Sequence, residues 1–211
     1  MHLIMLATAV MAGATLAPPP MPSPSTQSAL AAQTAQARAN TDRAIRDAER
    51  VRILVTALLN DPRFAQANSI PARAALMDEK APAIAAARIE LQTIAAGLSA
   101  IPSVSSPNSP VGLRQSDLTV DDVARYATQT DIMLGKFEEF RTALHSGDTA
   151  RITQAASVMM ANGIVILDAQ AITFNAARAN FHEGGSDHAR NSGLACFYQG
   201  TAAFMRGALD M

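Results

Sequence analysis

The densest run of side chains with ligating chemistry is His182-Glu183-Gly184-Gly185-Ser186-Asp187-His188. Two imidazoles and two carboxylates this close together form a donor set that a divalent metal can use. The spacing does not match a standard zinc motif, because H-E-x-x-H sets its histidines four apart on one helix face. The same residues also read as a helix boundary. His182 suits a helix C-terminus, Gly184-Gly185 a turn, Ser186 an N-cap, and Asp187 the positive end of the next helix. His182, Glu183, Asp187 and His188 are the candidate metal ligands, with that structural reading as the competitor.

Three further features bear on chemistry. Cys196 is the sole cysteine, so no disulfide can form within the chain; it is a packed small side chain, an intermolecular disulfide partner or a reactive thiol. Asp168 lies in Ile164-Val165-Ile166-Leu167-Asp168-Ala169 and is expected to be a buried acid, paired with an arginine or hydroxyl from another helix. Met133, Met159, Met160 and Met205 read as core filler. With His182 and His188 they also define the haem-binding alternative, although no Cys-x-x-Cys-His is present for covalent attachment. No nucleotide-binding loop, catalytic motif or second acid beside Asp168 appears.

Composition narrows the classes. Charged residues make up 17% and hydrophobic residues 49%, against roughly 25% charged in an average soluble domain. The helices must therefore bury broad faces or meet a partner. A formal net charge of −1 offers no basic field for nucleic acid. Scarce aromatics argue against stacking platforms for single strands.

The positions of these residues follow from the elements. Residues 1–17 read as a signal peptide, with an apolar, alanine-rich run and Ala12-Gly13-Ala14 as a cleavage pattern. Residues 18–27 read as a Pro/Ser-rich spacer. Residues 28–211 form one domain, with a flexible crossover at 99–116. The first helix is expected over 28–60, with a heptad seam through Leu30, Thr34, Ala37, Thr41, Ala44, Ala48, Val51, Val55 and Leu58, weak at its start and strong at its end. Arg38–Asp42, Asp42–Arg46 and Arg43–Asp47 lie on its outer surface. The second begins near Pro71 with Ser69 as N-cap, and carries Ile84, Ala87, Leu91, Ile94 and Leu98; Pro82 should kink it or delay its start. The third opens at a capping box of Thr119 and Asp122 and closes at His145-Ser146-Gly147-Asp148. The fourth, Ile152–Ala177, is apolar on most of its circumference and is expected as the central rod. In the last helix Gly193, Cys196, Gly200, Ala203 and Gly207 line one side. This stripe of small residues predicts close packing on the fourth helix near Ala155, Gly163 and Ala169, or an interface.

The expected fold is an all-α, mostly antiparallel bundle of about five helices. The expected protein is periplasmic or secreted and acts by binding rather than catalysis. Its expected partner is a protein or an apolar small molecule, with a second copy of the chain and peripheral membrane contact as further partners. The competitors are a metal- or haem-binding bundle and a membrane-active protein inserting its last two helices.

Overall fold

The computed structural model describes residues 24–59, 61–178 and 185–209. The expected signal peptide lies outside them, as do His182 and Glu183. The chain is all-α, with no strand among the described residues. Five long helices and one short turn follow in order: α1 Pro24–Leu59, α2 Arg63–Gln66, α3 Ile70–Ser99, α4 Val111–Ser146, α5 Thr149–Arg178 and α6 Ser186–Leu209.

The cross-helix contacts fix the directions. Arg43 reaches the Gly97 carbonyl and Arg50 reaches Glu90, so α1 and α3 are antiparallel. Arg88 meets Asp131 while Arg141 meets Asp78, which makes α3 and α4 antiparallel as well. Consequently α1 and α4 run the same way, with Thr41 beside Ser116. α5 returns along α4, and α6 returns along α5.

α4, not α5, is the central helix. It packs against α1, α3 and α5 at once, and buries Val120, Val123, Tyr126, Ala127, Met133, Leu134, Phe137 and Leu144. The expectation of a central rod at Ile152–Ala177 is therefore overturned. A central position requires bulky side chains on several faces. α4 supplies them, whereas α5 is apolar chiefly because it lacks charge. Of the apolar 18-residue window of α5, only 22% is buried.

The seam of α3 holds, and that of α1 holds from Ala37 onward, while Leu30 and Thr34 at its start are exposed. Ala44, Ala48, Val51, Ile84, Ala87, Leu91, Ile94 and Leu98 join one core with α4. α1 starts earlier than expected, at Pro24, inside the spacer; proline is accommodated in a first helical turn. Its first turns, Leu30 included, project into solvent. Of the three outer pairs expected on α1, Arg43–Asp47 closes, at 3.8 Å. Arg38 and Asp42 make no ion pair or hydrogen bond among the described residues.

Ser69 caps α3 by accepting from the Ala72 N–H at 3.3 Å. The helix starts at Ile70 and continues through Pro82, so that proline does not delay its start. Gly147 takes φ 67°, the left-handed conformation that closes α4. Asp148 then accepts from the N–H groups of Ala150 and Arg151 at 2.9 and 3.2 Å. The capping box at Thr119 and Asp122 is not present, because α4 already begins at Val111. Thr119 is instead buried within the helix, its hydroxyl donating to the Gln115 carbonyl at 2.8 Å.

The crossover is correspondingly shorter than 99–116, and it is anchored. Asp117 accepts from the hydroxyls of Ser103 and Ser105, each at 2.5 Å, and from the Val104 and Ser105 N–H groups at 3.0 Å. Burial alone would raise the Asp117 pKa, but these hydrogen bonds outweigh it and hold the carboxyl below its ordinary range.

Candidate functional site

α6 is the outermost layer. Its inner face carries Asn191, Ala195, Tyr198 and Ala202, all buried. Tyr198 stacks on Phe174 of α5, with ring centroids 5.6 Å apart and planes 13° from parallel. Ala171 and Ala195 complete this satellite core, and Leu167 and Leu194 pack against it.

The small-residue stripe lies on the opposite side. Gly193, Cys196, Gly200, Ala203 and Gly207 are all exposed. A Cβ added at Gly193, Gly200 or Gly207 would meet nothing within 4 Å. The expectation that this stripe packs on α5 is therefore corrected: α6 does pack on α5, but through its bulky face. The reason is steric and energetic. Tyr198, with Ala195 and Ala202 beside it, buries far more area against Phe174 than three glycines can. Gly163 does meet α6, with a Cβ there lying 3.7 Å from Met205 Cε.

The outer side of α6 also carries Phe197 at 63% exposure and Phe204 at 78%. They alternate with the glycines at heptad spacing. On α5, Val158, Val165 and Ile172 stand exposed at the same spacing, with Met160 also in solvent. No Asp, Glu, Lys or Arg occupies these positions. Singly exposed apolar residues are ordinary; here they recur at seven-residue spacing along both α5 and α6.

Asp168 is a second correction. It does pair with an arginine of another helix, Arg206 of α6, but it is not a buried acid. Its side chain is 39% exposed and that of Arg206 is 50% exposed. One carboxylate on an otherwise apolar helix reaches solvent most cheaply by lying at the outer seam between α5 and α6.

The buried polar chemistry lies elsewhere, at residues the sequence reading did not single out as a site. Both tyrosines of the chain, Tyr126 of α4 and Tyr198 of α6, lie within electrostatic reach of Arg52 of α1. Tyr126 is fully buried and accepts a hydrogen bond from Gln170 Nε2. Burial pushes its hydroxyl well above the ordinary tyrosine range, against the opposing pull of that hydrogen bond and of Arg52. Burial likewise raises the Tyr198 hydroxyl, with Arg52 acting against it. Arg52 itself forms a two-pronged pair with Glu49, at 2.8 and 2.6 Å. That hydrogen bonding holds Glu49 below its ordinary pKa, with Arg190 of α6 adding to the effect. Both phenols stay protonated at neutral pH, and within the cluster the hydrogen bond of Gln170 to Tyr126 ties α5 to α4.

Of the four candidate metal ligands, His182 and Glu183 fall outside the described residues, as does the side chain of Asp187. His188 stands in the first turns of α6. Among the described residues no three or more His, Cys, Asp or Glu side chains gather to hold a metal. Met133 is buried in the core and Met159 packs against it, while Met160 is exposed.

A separate open groove of about 560 Å³ lies between α1 and the start of α4, lined in part by Ala37, Arg38, Thr41, Asp42, Leu113 and Ser116. No protein-family model matches the chain, and no curated protein or solved structure matches it either.

Proposed function

We propose that the protein is an exported, non-catalytic helical bundle that binds a protein partner in the cell envelope through its α5–α6 layer. The observation that carries this reading is the exposure of α5. Its 27 residues from Thr149 to Asn175 are apolar enough to cross a membrane, yet 22% of the window is buried. A core helix of that composition would be mostly buried. The surplus apolar surface, with Phe197 and Phe204 beyond it on α6, is matched to something outside the chain.

A membrane surface is the second reading, favoured by the same length, since 27 residues rise about 40 Å. Asp168, Asn162 and Gln170 in the middle of α5 disfavour full insertion, because ionisable and amide groups are costly in hydrocarbon. The test is a photo-crosslinking residue at Val165, compared with one at Ile89, an exposed apolar position on α3. In cells of the source, discrete protein adducts from Val165 and none from Ile89 are expected. Adducts to lipid alone, with sedimentation on liposomes, would replace the protein partner with a membrane. No adduct at Val165 would remove the reading.

A further inference from the structure

Among the described residues the groove between α1 and α4 takes no lining residue from α5 or α6, and its chemistry is of a different kind. Its floor is closed by hydrogen bonds within the chain. Thr41 Oγ1 donates to Ser116 Oγ at 3.0 Å, and Ser116 Oγ donates to the Ala37 carbonyl at 2.8 Å. Both hydroxyl protons are thus used, and Ala37, Leu113, Thr41 and Ser116 are buried. The floor presents carbon and satisfied oxygen, a surface for an apolar body. At the rim stand two exposed charges of opposite sign, Arg38 and Asp42. Residues four apart on a helix are close enough to pair. These two pair neither with each other nor with any other described residue.

We propose that this groove binds a short zwitterionic peptide with apolar side chains. Arg38 receives its terminal carboxylate, Asp42 receives its terminal ammonium, and its side chains lie on Ala37 and Leu113. The alternatives fail on charge. An anion alone would leave Asp42 facing it, a cation alone would leave Arg38 facing it, and a neutral apolar molecule would draw on neither. Size agrees. The volume falls within the roughly 300–1,000 Å³ of small-molecule sites. An extended dipeptide sets its termini about 7 Å apart, close to the roughly 5–6 Å that separates β-carbons four apart on a helix.

The experiment is calorimetric titration of the full chain with leucyl-leucine, its N-acetyl derivative and its carboxamide. The free dipeptide should bind, and capping either end should weaken binding tenfold or more. Arg38→Gln should erase the preference for carboxylate over carboxamide while keeping the preference for a free amine; Asp42→Asn should do the reverse. Both side chains are at the surface, and circular dichroism checks that each variant folds. No heat at millimolar dipeptide, equal binding of the capped forms, or variants that lose both preferences together would each overturn the proposal.

Discussion

Asp168 of α5 and Arg206 of α6 form an ion pair across the outer seam of the two helices, with both side chains more than a third exposed. An exposed pair gains little, because water and salt screen it and two side chains must be held in place. Asp168→Asn should therefore cost on the order of 0–1 kcal/mol. Thermal melting at low and at moderate salt checks this, since salt should shrink the difference further. A loss of several kcal/mol would mean that the seam is covered by a partner, with the pair desolvated.

The Tyr126–Gln170 contact should behave in the opposite way. Tyr126 is fully buried and Gln170 nearly so, and they form a polar link between α4 and α5. Tyr126→Phe leaves the Gln170 amide without this partner, at a cost of roughly 1–3 kcal/mol. Replacing both, Tyr126→Phe with Gln170→Leu, should recover part of that loss, because neither buried group is then orphaned. Urea unfolding of the wild type, both single variants and the double variant measures the coupling. A double variant as unstable as the sum of the singles would show that the two groups do not depend on each other.

These two pairs show what the sequence made legible. The seams of α1 and α3 were readable because Val51, Leu58, Leu91, Ile94 and Leu98 recur at helical spacing, and such residues have one place to go. The Ser69 cap and the Gly147 turn were readable because each rests on local backbone chemistry. The position of α5 was not, since an uncharged helix can be central or simply short of polar residues. Deciding between them needs the side-chain volume of its rivals, and α4 had more. The orientation of α6 was hidden for a related reason. Its glycine stripe and its Tyr198 face both have helical period, and the choice between them depends on Phe174, a partner distant in sequence. The Tyr126–Gln170 link was beyond reach, because nothing local to either residue names the other.

The crossover supplies a prediction in pH. Hydrogen bonds to its charged form hold the Asp117 carboxyl below its ordinary range. An unfolded aspartate titrates at about 3.9. A carboxyl whose folded pKa is depressed contributes fully above that value and loses its contribution as pH falls through the folded pKa. The anchoring of Val104 and Ser105 should thus hold at pH 5 and weaken below about 4. Amide exchange at these two residues, corrected for intrinsic rates, should accelerate in that window. Asp117→Asn should exchange rapidly at every pH. Protection that stays flat from pH 5 to 2.5 in the wild type would show that the carboxylate does not anchor the segment.

The glycine stripe gives the test with the widest consequences. In a monomer Gly193, Gly200 and Gly207 face open space, and an exposed glycine inside a helix costs roughly 0.5–1 kcal/mol relative to alanine. Gly200→Ala should therefore raise the melting temperature of the isolated chain, and Gly200→Leu should not lower it, because a Cβ there has no neighbour within 4 Å. The outcome differs if the stripe meets a partner. There, leucine would hold the two surfaces apart and the complex would be lost while the fold survived. Cys196 on the same face provides a reporter, since a second copy packed along the stripe would bring two thiols near each other and permit an intermolecular disulfide. Size-exclusion under reducing conditions, beside non-reducing electrophoresis, reads both effects on one preparation. A Gly200→Leu variant that melts well below wild type as a monomer would show that the stripe is packed within the chain, and the placement of α6 would have to change.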